Sequence, residues 1–145
     1  MLRERIRAVR SWRGGAPRYD CVFVEGDPDP VPGFRGLLAA RVLLFMSFKH
    51  EGITYPCALV TWFSAIGDEP CPDVGMWMVE PDVDHRGRRV MDIIHIDTIL
   101  RAAHLISIYG DTFLPRHFKY SDTLDTFNAF YVNKYADHHA NEIAF

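Results

Sequence analysis

Residues 40–64, ARVLLFMSFKHEGITYPCALVTWFS, decide the fold. From Ala40 to Phe48 the even positions Val42, Leu44, Met46 and Phe48 are all apolar, while Arg41, Leu43, Phe45, Ser47 and Lys49 alternate more mildly. A period of two rich in bulky apolar residues reads as a strand buried on one face and half-buried on the other. His50-Glu51-Gly52 supplies a turn with glycine where a positive φ is needed. Ile53–Ser64 then returns as the hairpin partner. Pro56 has no N–H to give a ladder, so it belongs at a bulge or an unpaired edge position.

Outward from this hairpin the same signals recur. Tyr19–Glu25 (YDCVFVE) is a short β-branched and aromatic run, and the prolines at 28, 30 and 32 with Gly33 make a stiff loop after it. Downstream, residues 67–75 form an acidic loop, Met76–Glu80 (MWMVE) a short strand, and Asp84-His85-Arg86-Gly87 a turn into Arg89–Ile96. Beyond Asp97 two readings stay open. One is a single helical turn at Thr98–Arg101 followed by an extended Ala103–Tyr109; the other is one short helix over 98–106. Ser121 is an N-cap candidate with Asp122 and Asp125 in the first turn, and Leu124, Phe127, Tyr131, Tyr135 and His138 follow at helical spacing. That stripe predicts an amphipathic helix over 121–139.

The expected fold is therefore mainly β with a C-terminal α-helix: a small bent antiparallel sheet or partly open β-barrel, preceded by a short basic N-terminal helix. At 145 residues the chain suits one domain, divided into a basic amphipathic arm (1–18) and a barrel-like body (19–145). Three scattered cysteines give no disulfide framework and point to reduced thiols in an intracellular protein. No apolar run reaches the roughly 18–20 residues of a membrane helix, so no membrane partner is expected.

The net charge of −3 hides an asymmetry. Residues 1–18 carry six arginines against Glu4 alone; the rest of the chain holds ten basic and eighteen acidic residues. A negative body matches a phosphate backbone poorly, so direct DNA binding is expected only through the arm, with Arg3, Arg7 and Arg10 as candidate contacts. Leu2, Ile6, Val9 and Trp12 fall on one helical stripe beside those arginines, and Gly14-Gly15 and Pro17 end the arm. A solvated basic helix, a nuclear-import or nucleic-acid tether, a mitochondrial presequence and the ragged remnant of a longer chain all fit it. A nuclear location is favoured over a mitochondrial one, because the arm is poor in serine. The sequence leaves the oligomeric state open.

Chemistry-bearing residues are sparse. Trp62 and Trp77 flank Asp68, Glu69 and Asp73, the ingredients of an aromatic cage for a methylated ammonium; the competing reading places both indoles in the core. His138-His139 cannot face one ion from a helix, no CxxC occurs, and no metal site is expected. No nucleophile elbow or phosphate-cradling glycine loop is present. On a strand, His95 and Asp97 share a face while Asp92 points away, which leaves at most a His95–Asp97 pair. No catalytic residue and no cofactor is expected.

Longer strings carry a resemblance. They include Tyr55-Pro56-Cys57-Ala58-Leu59-Val60, Trp62-Phe63-Ser64, Gly67-Asp68-Glu69-Pro70, Gly75-Met76-Trp77 and Ile94-His95-Ile96-Asp97-Thr98-Ile99-Leu100-Arg101-Ala102-Ala103-His104-Leu105, then Phe130-Tyr131-Val132-Asn133-Lys134-Tyr135-Ala136-Asp137-His138-His139. From about residue 19 to the last, the chain resembles the C-terminal module of transposon-encoded proteins of mushroom-forming fungi, the Plavaka and Kyakuja–Dileera–Zisupton kind. The resemblance implies a module downstream of a transposase-like region with no catalytic role of its own; the nuclease carboxylates belong upstream. The order of elements is also similar to the bromo-adjacent homology (BAH) barrel of chromatin proteins, a fold-level analogy. Together these imply a non-catalytic interaction module that binds protein or histone-tail peptides around Trp62, Asp68, Glu69, Asp73 and Trp77. A DNA-tethering accessory domain and a functionless remnant are the alternatives.

Overall fold

A computed structural model of the chain describes residues 5–26, 37–67, 69–108 and 129–134. The strands are β1 (Ala8–Val9), β2 (Arg18–Tyr19), β3 (Cys21–Glu25), β4 (Leu37–His50), β5 (Ile53–Ala65), β6 (Met78–Pro81), β7 (Met91–His95), β8 (Ile99–Ala103), β9 (Leu105–Ser107) and β10 (Phe130–Val132). Every strand pairing among the described residues is antiparallel. β1 and β2 form a small ribbon; the other strands form one sheet in the order β8-β3-β4-β5-β6-β10-β9, with β7 also paired to β5. Only His104 separates β8 from β9, so the two ends of that order are consecutive pieces of chain and the sheet nearly closes on itself.

The β4–β5 hairpin is the spine. Its turn has Glu51 at φ 50° and Gly52 at φ 78°, with His50 paired to Ile53, the double positive φ whose twist suits a two-residue hairpin. The ladder is continuous except for a shift between Val42 and Leu44, where Leu43 is the extra residue of a bulge. The bulge corrects the alternation expected from the sequence. Val42 packs with Val60, whereas Leu44, Met46 and Phe48 fall on the opposite face, and Leu44 and Phe48 are about half exposed. Pro56 pairs with Ser47 one residue beyond the β7 ladder, which ends at Cys57.

Strands β3, β4 and β5 are a wall between two hydrophobic clusters. Cys21, Phe23, Ala39 and Phe63 face one, with Trp77, Val79, Leu105, Phe130 and Val132. Val22, Val24, Ala40, Val42, Ala58 and Val60 face the other, closed by Ile6, Ala8, Phe45, Trp62, Ile94 and Ile99. A strand buried on both sides loses its polar alternation, which accounts for the unbroken Cys21–Val24 run. Ala39 and Ala40, both fully buried, keep the wall thin enough for bulky side chains on each face. Between β7 and β8 a 3-10 turn (Ile96–Thr98) redirects the chain from the β5 edge to the β3 edge.

Two expected helices are corrected. The arm is no helix over its described part: Ala8 pairs with Tyr19 and Val9 with Arg18, so residues 8–19 form a β-ribbon. Ile6 and Ala8, two residues apart, pack onto the Val22–Val60 cluster, and this period-two contact outweighs the helical spacing of Ile6, Val9 and Trp12. Arg13 at φ 52° and Gly14 at φ 73° provide the reversal. Within the expected C-terminal helix, Phe130–Val132 is strand β10. Phe130 and Val132 are fully buried and Tyr131 points outward between them, so an aromatic and β-branched triplet filled a sheet position. The rest of that expected helix, and Arg3, lie outside the described residues. No α-helix occurs among the described residues, and none is long and apolar enough to cross a membrane.

Candidate nucleic-acid interface

The β1–β2 ribbon concentrates charge. Between residues 5 and 20 there are five arginines and a single acid, Asp20. The connection is pinned by its own backbone: Trp12 N–H donates to Ala16 O (3.0 Å), Gly15 N–H to Trp12 O (2.9 Å) and Ser11 Oγ to Gly15 O (2.9 Å). At its base Asp20 N–H donates to Arg7 O (2.8 Å) and Arg7 N–H to Asp20 Oδ2 (2.9 Å). Asp20 also pairs with Arg18 Nε at 2.8 Å, and its carbonyl accepts from Val42 N–H, tying the ribbon to β4.

This frame brings three guanidinium groups to one indole. The Arg7, Arg13 and Arg18 guanidinium carbons lie 3.9, 5.0 and 5.2 Å from the Trp12 ring centre, all within cation–π range. Trp12 is half-buried; Arg5, Arg10 and Arg13 are exposed. Like charges held this close repel, and Asp20 neutralises only Arg18. An anion between them relieves that repulsion, and planar guanidinium edges are matched to phosphate oxygens.

The other residues named from the sequence are dispersed. Trp77 is only 7% exposed and sits in the cluster with Phe63 and Phe130; its carbonyl accepts from Val132 N–H at 2.8 Å. Trp62 packs against the opposite cluster, so β5 separates the two indoles. Glu69 and Asp73 are exposed, and Asp68 lies outside the described residues. His95 and Asp97 form a turn: His95 Nδ1 accepts from Asp97 N–H (3.1 Å), with Asp97 Oδ2 3.5 Å away, and both side chains are solvent-accessible. Among the described residues no three His, Cys, Asp or Glu side chains gather as a metal ion requires.

Two ionisable groups hold their protons more tightly than usual, one of them fully buried. Burial pushes the Cys21 thiol up to about 12, against a smaller opposing pull from Arg41, so it is protonated and inert near neutrality. Desolvation also raises Tyr131, helped by Cys71 and Asp73 beside it.

Of the candidate contacts named from the sequence, Arg7 lies over Trp12 and Arg10 is exposed on the ribbon; Trp12, Arg13 and Arg18 were not among them. The signal was there in Gly14-Gly15. Read as a hairpin turn instead of a helix stop, it folds Arg18 back beside Val9 and Trp12. No protein-family model, curated protein or solved structure matches the chain.

Proposed function

We propose that this chain is a non-catalytic module that tethers nucleic acid through the arginine ribbon of residues 5–18, with the barrel as its scaffold. The observation that carries this reading is the convergence of Arg7, Arg13 and Arg18 on Trp12, with Asp20 the one carboxylate paired to them among the described residues. Among polyanions, a nucleic acid offers the densest regular array of phosphates, about one charge per 1.7 Å of duplex axis. The acidic remainder of the chain faces such a partner unfavourably, which confines contact to the ribbon and orients the module on it.

The resemblance to the C-terminal module of fungal transposon-encoded proteins supports the same role, because a tether beside a transposase-like region needs no catalytic groups. The five-strand path β8-β3-β4-β5-β7, whose two end strands are joined in sequence by a 3-10 turn, supports the analogy with the BAH barrel. Recognition of a basic tail fits less well: Glu69 and Asp73 are available, but the Trp77 indole is packed in the core.

The test is a titration of labelled duplex DNA, and of a histone-tail peptide, with the intact chain and with Arg5→Gln/Arg10→Gln/Arg13→Gln. These exposed residues leave the Arg7–Asp20 and Arg18–Asp20 links in place. Duplex binding that weakens at least tenfold in the triple variant is expected. Equal binding by both chains would move the site off the ribbon, and peptide binding without DNA binding would move the function to the acidic loop.

A further inference from the structure

Resting on the nucleic-acid reading, we infer that Trp12 is a positioning residue that holds guanidinium groups ready for phosphates, and that the site grips the phosphodiester backbone without stacking bases. Trp12 carries no charge and offers a phosphate only an indole N–H. Its geometry is nevertheless the organising feature of the ribbon. The three arginines around it come from different places: Arg7 from before β1, Arg13 from the turn, Arg18 from β2. The backbone bonds of Trp12 to Gly15 and Ala16 hold the main chain that carries the ring.

A guanidinium stacked on an aromatic face keeps its N–H groups in the plane, directed outward from the ring's rim. Stacking also removes side-chain freedom before the ligand arrives, so less is lost on binding. A lysine in the same place keeps its charge but has no plane to stack. The second consequence concerns the ligand. Single-strand binders hold bases on exposed aromatic faces. Here guanidinium groups already crowd the Trp12 ring, Arg7 at van der Waals distance, so the ring is not available as a base platform. What remains is contact with phosphate and sugar, which carries no base information. The ligand class is thus a phosphodiester backbone of high charge density, with duplex favoured over single strand and one sequence as good as another.

The experiment measures affinity for a duplex and a single strand of equal length, each in two unrelated sequences, across a salt series. The chains compared are wild type, Trp12→Ala, Trp12→Phe, Arg7→Lys/Arg13→Lys/Arg18→Lys and Arg10→Ala. Trp12→Ala is expected to weaken duplex binding about tenfold although it removes no charge. Trp12→Phe recovers most of that loss, and the triple lysine variant loses as much as Trp12→Ala. Arg10→Ala lowers the steepness of the salt dependence by about one phosphate contact. Exchange protection of the Asp20 amide, bonded to Arg7 O, reports whether the ribbon stays closed in Trp12→Ala; if it opens, the charge-preserving lysine variant decides. Wild-type affinity in the lysine variant, or a preference for single strands, overturns the inference while leaving the tether in place. Loss in neither the tryptophan nor the arginine variants overturns the tether itself.

Discussion

Cys21 shows how a single side chain couples to its strand. It is the first residue of β3, faces the Phe23–Phe63 cluster and is 5% exposed. Burial raises its pKa from 9.0 to about 12, so between those values the folded chain keeps a proton that the unfolded chain has released. The unfolded state binds fewer protons there, and stability falls as pH rises. The contribution is complete below pH 9 and lost through pH 12. Thermal melts between pH 8 and 11 are expected to fall more steeply for wild type than for Cys21→Ala; parallel falls would place the thiol in contact with water. At neutral pH the same burial should make half-buried Cys71 react with an alkylating reagent well before Cys21. The residue scale also holds what the sequence hid. Trp12 at helical spacing from Val9 reads as part of an apolar stripe, and only the reversal at Arg13–Gly14 turns it into a platform for three arginines.

At the scale of elements, β4 does two jobs and the Leu43 bulge divides them. Before the bulge β4 pairs with both β3 and β5; after it, β4 continues with β5 and leaves β3. A bulge bends a strand and increases its twist, and the sheet needs that bend where β4 leaves one partner. Deleting Leu43 keeps the alternation of its neighbours, because Val42 and Leu44 already face opposite sides. The expected result is a loss on the order of 1–3 kcal/mol in denaturant unfolding, from the missing bend alone. An unchanged midpoint would make the bulge incidental. The hairpin, its turn and the strand at 21–25 were legible because apolar runs bounded by glycine and proline have few alternatives. The bulge was not, since one extra apolar residue in an apolar run leaves no mark. Residues 6–12 and 130–132, expected in helices, are short stretches where spacings of two and of three or four both fit, and tertiary contacts chose between them.

At the scale of the molecule, the central strands are covered on both faces and arginine is concentrated toward one end of the chain. Trp77 belongs to the first of these facts. It packs with Phe63, Val79 and Phe130, so Trp77→Ala is expected to cost about 3–5 kcal/mol, a large share of the stability of a small domain. A variant that melts like wild type would put the indole on the surface and revive an aromatic cage there. The fold class was readable from the sequence because strand signals are local. The candidate site was only half readable. Charge asymmetry marked the arm, but which arginines act together depends on the path of the chain, and that path is set by contacts of Ile6 and Ala8 with a distant cluster. Whether the cationic ribbon on its acidic body is the nucleic-acid contact is read from the salt dependence of duplex binding. Log affinity is expected to fall linearly with log salt concentration, with a slope smaller by about three contacts in Arg5→Gln/Arg10→Gln/Arg13→Gln. A wild-type chain that fails to bind duplex DNA at low salt, or a slope that the triple variant leaves unchanged, would contradict it.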